Sequence, residues 1–330
     1  MKVCVIGGTG NISTSIVRLL LELGHDVVCF NRGVTAGLPD GARLIVGDRT
    51  DEESFERTMQ RERFDAAIDM VCFNADQARS DIRAFREIGH FVMCSSVATY
   101  GNGCLWVPVS EDHPLQPDGP YGSYGRNKIA ADNAFLDAYH REAFPVTIVK
   151  PSATYGPKLG LIRQVAHEFG WIDRIRKGKP IIVAGDGSAI QQFLHVDDAA
   201  PCFAHMLGRA RCVGQIYNMV PTGFVTWADY HRTAMEVIGR EVELVGVPTE
   251  DLKAIAPERF RWCTWFHNYF CNQKLLRDVP EFRPCVSLKA GVTRVLAAME
   301  HDGRIPDTDS ETWEDEIIAA QREVRDITTT

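Results

Sequence analysis

The stretch Met1-Lys2-Val3-Cys4-Val5-Ile6-Gly7-Gly8-Thr9-Gly10-Asn11-Ile12-Ser13 is a short apolar run that ends in glycine and opens a helical pattern. Val3–Gly7 reads as a buried strand, and Ile12–Leu23 reads as a helix stopped by Gly24. A glycine loop in that place brings backbone N–H groups against a pyrophosphate at a helix N-terminus. Gly7 permits the tight turn and Gly10 the close backbone approach, while the third glycine position of the pattern holds Ser13. The competing reading is a plain strand-to-helix turn.

Working outward, further β-rich apolar runs fall at Asp26–Phe30, Arg43–Val46, Ala66–Cys72, Phe91–Ser95 and Val146–Lys150. Helical patterns at Asp51–Arg61 and Ala75–Glu87 separate them. Strand–helix alternation with nearly continuous apolar strands predicts an α/β fold built on a doubly wound parallel sheet. After Pro151 the pattern loosens: a helix over Leu161–Gly178, a strand at Pro180–Ala184, a turn at Gly185-Asp186-Gly187-Ser188, a strand at Gln215–Val220 and a helix at Trp227–Gly239. The predicted organisation is a dinucleotide-binding domain over residues 1–157, with segments near 193–220 returning to it, and a smaller C-terminal substrate lobe over 158–330. Trp262, Trp265, Phe266, Tyr269 and Phe270 either stack a sugar or fill a core, and the acidic tail Asp307–Thr330 is expected to be partly disordered.

The chain has 330 residues, 45% hydrophobic and 24% charged, enough for a full core. A formal charge of −8 argues against a general nucleic-acid surface. The densest basic stretch, Arg174-Ile175-Arg176-Lys177-Gly178-Lys179, reads as a solvated helix end or as a local anion contact. No secretory pattern precedes the first strand and no apolar run reaches membrane length, so a cytoplasmic location is expected. Cysteines such as Cys4, Cys29, Cys72 and Cys94 lie in apolar runs and read as reduced interior thiols, and no metal site is expected.

Three further features carry chemistry. The second strand ends Cys29-Phe30-Asn31-Arg32-Gly33 with no acid, which leans toward a 2′-phosphate and hence NADP over NAD, and Asp48-Arg49 after the third strand is a second candidate adenine contact. Tyr124 and Lys128 stand at i and i+4 on one helix face, where the ammonium can stabilise a phenolate for use as a base. Ser95-Ser96-Val97-Ala98 leaves the fifth strand, where a hydroxyl can hold a reacting alcohol oxygen.

Together with Pro151–Pro157 and Gly185-Asp186-Gly187 followed by Phe193-Leu194-His195-Val196-Asp197-Asp198, these motifs resemble the NAD-dependent epimerase/dehydratase family, the extended branch of the short-chain dehydrogenases/reductases. The resemblance implies a Rossmann-type fold, NAD or NADP as cofactor, a small carbohydrate-like substrate, and compatibility with a homodimer. It gives Ser96 the substrate-orienting hydroxyl, Tyr124 the acid/base and Lys128 the roles of ribose contact and phenolate support. It further places cofactor contacts at Gly7, Thr9, Gly10, Asn11, Ile12, Asn31, Arg32, Asp48, Arg49, Val71, Tyr124, Lys128 and Pro151. Substrate contacts fall at Ser96, Val97, Lys150 and Gln191, and His195 is structural. Val97 and Ala98 replace the acid pair of the family's dehydratases, which disfavours elimination. Gln191-Gln192 stands where many nucleotide-sugar epimerases carry a diphosphate-binding arginine. The expected activity is epimerisation of a sugar through a transient ketone. A net alcohol dehydrogenase or carbonyl reductase is the alternative; Asn31-Arg32-Gly33 with Thr226-Trp227 resembles a subgroup that is also similar to chloroplast stem-loop RNA-binding proteins, so a non-catalytic RNA-binding relative is a further one.

Overall fold

The protein is described by a computed structural model covering residues 1–102, 104–261 and 263–329, with side chains through Val324. Trp262 of the aromatic segment lies outside the described residues. Two compact units share the chain. The first comprises Met1–Thr154, Gln192–Thr222 and Tyr269–Cys285; the second comprises Tyr155–Gln191, Gly223–Asn268 and Val286–Thr330.

The first unit is a seven-stranded sheet: β1 (Lys2–Ile6), β2 (Asp26–Asn31), β3 (Arg43–Val46), β4 (Ala66–Asp69), β5 (His90–Cys94), β6 (Val146–Pro151) and β7 (Ile216–Met219). The spatial order is β7-β6-β5-β4-β1-β2-β3, and every adjacent pair is parallel. Alternating side chains feed two separate cores, which explains the unbroken apolar runs. Val3 and Val5 of β1 and Val27 and Cys29 of β2 pack with Ile16, Val17 and Leu20 of α1 (Asn11–Glu22). On that same face, Ala199 and Phe203 of the helix Val196–Met206 join them. Cys4, Ile6, Val28 and Phe30 point the other way. They meet Phe55 and Met59 of α2 (Glu52–Glu62), Ala78 of α3 (Ala75–Ala84), and Ala131 and Phe135 of α4 (Gly122–Glu142). Leu275, Val279 and Phe282 complete the first core from a segment whose return the sequence pattern does not announce.

In the second unit, Ile181–Ala184 pairs in parallel with Leu244–Val247. The helix predicted over Leu161–Gly178 is confined to Gly170–Lys177, closed by Gly178 at φ 73°. Before it, Arg163 and Gln164 both turn inward, one pairing with Glu314 and Glu168, the other bonding the Ala184 backbone. A helix would set these neighbours about 100° apart, so the inward pair enforces irregular chain. The tail, expected to be partly disordered, forms the helix Trp313–Thr329. It buries Ile317 and Ile318, and its Glu314 accepts the Ile182 N–H at 2.7 Å. The basic stretch is spent on ion pairs: Arg174 with Asp315, Arg176 with Glu300, and Lys177 with Asp173, Asp307 and Asp309. All ten cysteines are free thiols, and no helix among the described residues is long and apolar enough to cross a membrane.

Candidate active site

A cleft of about 360 Å³ opens at the carboxyl ends of β1, β2 and β3. Gly7, Thr9 and Gly10 form one wall; Asn31, Arg32 and Gly33 form another; Asp48 and Arg49 follow β3, and Val71, Phe73 and Gln77 follow β4. Gly7 has φ +81°, and a Cβ there would stand 2.7 Å from Val71 Cγ1, so only glycine keeps this wall open. The loop is held by side chains rather than by glycines alone. Ser13 Oγ donates to the Gly7 carbonyl at 2.6 Å and accepts from the Gly10 amide at 2.8 Å, which gives the residue at the third glycine position a purpose of its own. Asn31 Oδ1 accepts from the Gly8 amide at 2.8 Å.

These residues fit a dinucleotide. The mouth of α1 supplies a positive helix end. Asn31 Nδ2 is buried without a hydrogen-bond partner among the described residues, a donor awaiting an acceptor oxygen. Arg32 is exposed beside it. The amide and hydroxyl of Thr50, with the charge of Arg32 behind them, hold the Asp48 carboxyl below its usual range.

Arg49, expected to contact the cofactor, is turned into the floor of the cleft. Its guanidinium is 8% exposed, pairs with Asp69, and reaches Asp81 at 3.0 Å. Burial and the Asp69 charge push the Asp81 carboxyl well above the usual range. Asp69 also accepts the Val71 amide at 2.6 Å, so this buried trio shapes the β4 wall. The sequence analysis missed Asp69 and Asp81; an acid at the end of an otherwise apolar strand was the available signal for Asp69.

The catalytic candidates lie at the carboxyl end of β5 and on α4. Ser96 caps the 3₁₀ turn Val97–Tyr100, its Oγ accepting from the Ala98 amide at 3.1 Å and keeping its own proton to donate. Lys128 is 2% exposed. Its ammonium donates to the Cys72 and Cys94 carbonyls at 2.7 and 2.8 Å, leaving one N–H. The Phe73 ring, part of the cleft wall, is 4.8 Å from Lys128 Nζ. Tyr124 is half-buried one turn earlier on α4. Helix and turn touch at Gly125, where a Cβ would lie 3.2 Å from the Ala98 carbonyl oxygen. The Ser96 turn and the helix that carries Tyr124 and Lys128 thus pack together, and Lys128 reaches the cleft wall through the Phe73 ring.

A model of the NAD dependent epimerase/dehydratase family matches residues 3–219. The chain belongs to this family. Among its relatives, the 2'-dehydrokanamycin reductase of Streptomyces kanamyceticus is 30% identical over 251 residues, covering 76% of this chain and 70% of that one. The chloroplast stem-loop binding protein of 41 kDa b of Arabidopsis thaliana is 25% identical, covering 88% and 77%. A UDP-glucose-4-epimerase from Stenotrophomonas maltophila, solved with bound NAD and formylated UDP-arabinopyranose, shares the fold at a TM-score of 0.76 and 17% identity, covering 92% and 99%.

Other residues assigned through the family resemblance are engaged elsewhere. Lys150 is fully buried, its ammonium 2.9 Å from Thr99 Oγ1 and 3.2 Å from Asp132, which removes it from substrate contact. Gln191, 3% exposed, accepts from Asn268 Nδ2 at 3.1 Å and donates to the Phe266 carbonyl at 3.4 Å; it serves the second unit's own framework. Gln192 bonds the backbone of Pro221 and Phe270. Pro151 is buried at the end of β6, opposite Met219. His195 caps the helix Val196–Met206 through Nδ1. Of the aromatic segment, Phe270 is core against Tyr100, Val109 and Val220, and Trp265 carries Lys253 over its ring at 3.5 Å.

Proposed function

We propose that the protein is an NADP-preferring oxidoreductase that reduces a ketone on a sugar-like substrate. The observation that carries the reading is the position of Lys128. Its ammonium is bonded to the carbonyl of Cys94, just ahead of Ser96, and lies beside Phe73 at the end of a cleft suited to a dinucleotide. A bound nicotinamide supplies hydride exchange with the carbinol carbon. The Ser96 hydroxyl donates to the substrate oxygen and orients it, Tyr124 gives or takes the proton at that oxygen, and Lys128 supports the phenolate electrostatically. Val97 and Ala98 offer no acid or base beside Ser96, which supports simple hydride exchange over loss of water.

Asn31 Nδ2 and Arg32 are donors at the adenosine end of the cleft, the arrangement a 2′-phosphate requires. Similarity to a keto-sugar reductase supports the reductive direction. Both Gln191 and Gln192 bond within the protein, which supports a substrate with no diphosphate handle at those positions. Redox-neutral epimerisation, the first expectation from sequence, uses the same three residues.

The test is a panel of keto and hydroxy sugars, including 2'-dehydrokanamycin and UDP-glucose, assayed with NADPH or NAD. Stoichiometric loss of reduced cofactor is expected. Conversion of UDP-glucose to its epimer without net cofactor change would replace this reading by epimerisation, and no turnover on the whole panel would overturn both.

A further inference from the structure

Lys150 and Asp132 form an ion pair in the interior, with side chains 0% and 1% exposed. Stability alone is a poor reason for such a pair, because apolar residues of similar volume commonly serve as well or better. Its connections suggest another purpose. Asp132 is on α4 at the position two i+4 steps after Tyr124 and one after Lys128, so the three share a helix face. Lys150 is on β6 and also donates to Thr99 Oγ1, which donates in turn to the Ser96 carbonyl at 2.9 Å. The Tyr100 ring lies 4.6 Å from the same ammonium, and its hydroxyl is tied to Asn218 at 2.9 Å. Ser96 therefore stands between two lysine anchors: Lys128 on the Cys94 carbonyl before it, and Lys150 on Thr99 after it.

The geometry points to Lys150 as a positioning residue. Pinned between Asp132 and Thr99, it holds the Ser96 turn in register with the helix face that carries Tyr124 and Lys128. This rests on the hydride-transfer reading above. Neither carboxylate oxygen of Asp132 makes a hydrogen bond among the described residues, so its charge is balanced by Lys150. Without Lys150, that carboxylate would stand one turn from Lys128 as a rival to the Cys72 and Cys94 carbonyls for its ammonium. A misplacement of about 1 Å between reacting groups is enough to slow a reaction on the order of 100-fold.

Lys150→Met alone leaves a buried unpaired carboxylate and is apt to unfold, so the informative variants are Lys150→Met/Asp132→Leu and Thr99→Val, with Thr99→Ser as the conservative rescue. Each is compared with the unaltered protein for melting temperature, NADP affinity by titration, and kcat and KM on the best substrate of the panel. The double variant is expected to fold, to keep NADP affinity and KM within about threefold, and to lose kcat by about 100-fold. Thr99→Val should lose kcat about 10-fold and Thr99→Ser should restore it, since only the hydroxyl relays Lys150 to the Ser96 carbonyl. Unchanged kcat in the double variant and Thr99→Val, or a loss matched by weaker NADP binding and lower melting temperature, overturns the positioning role while leaving hydride transfer intact. An unaltered protein inactive on the whole panel overturns both.

Discussion

The side-chain oxygen of Asn31 accepts the Gly8 amide at 2.8 Å, so the end of the second strand holds the loop that the first strand feeds, while its Nδ2 remains for a ligand. On the proposed reading, one residue thus shapes the phosphate wall and reads the adenosine end. Replacing Asn31 by Ala should weaken binding of both dinucleotides by about 5–10-fold, the loss of roughly one hydrogen bond of about 1 kcal/mol. Asn31→Asp keeps an acceptor for Gly8 but turns the donor into a carboxylate, and should move the NADP-to-NAD affinity ratio toward NAD. Fluorescence titration of both variants checks this.

Arg32 is exposed on the cleft wall and forms no ion pair among the described residues, unlike Arg49. Arg32→Ala is expected to weaken NADP by about 10–100-fold and NAD by less than about threefold, the signature of a lost charge-assisted contact to a phosphate. An unchanged ratio between the two would remove Arg32 from cofactor choice.

Tyr124→Phe deletes one oxygen from a half-buried side chain of α4 and touches no described hydrogen bond. Cofactor affinity and melting temperature should hold, with kcat lower by about 100- to 10,000-fold, as for loss of a general acid. Residual activity near that of the unaltered protein would exclude the phenol as the proton donor.

Two interior histidines set an acid limit. Burial lowers the His90 pKa to about 4, and burial with the nearby Arg163 charge lowers that of His231 to about 3. His90 Nδ1 accepts the Gly208 amide, a bond that protonation would break. Unfolded chain binds these protons near pH 6.5 while the folded state refuses them, so their stabilisation is complete above that pH and is lost as pH falls toward 4. The expected loss between pH 8 and pH 5 is about 2 kcal/mol for each histidine. Urea unfolding across that range should show the slope, and His90→Asn should reduce it.

What the sequence made legible was whatever is local. Strands such as Val3–Ile6 announce themselves because both faces are covered, and the loop from Gly7 to Ser13 because strand, glycines and helix adjoin. The ion pairs of Arg49 and Lys150 were not legible because a charge is read as outward until its partner is known, and Asp69, Asp81 and Asp132 are remote in the chain. The helix Trp313–Thr329 was missed for the same reason: its acidic surface hides Glu314, whose partners Arg163 and Arg174 lie in another segment. Ser13 could be seen to replace a glycine, but not to stitch the loop.

The alternation of the chain between the two units has a consequence for synthesis. One core of the first unit is closed by Leu275, Val279 and Phe282, and that of the second unit by Ile317 and Ile318. A nascent chain leaving the ribosome cannot seal its cofactor-binding unit at residue 154; it must wait until the segment ending at Cys285 has emerged, by which time most of the other unit is outside as well. The two units are then finished almost together, and neither can be excised by a single cut.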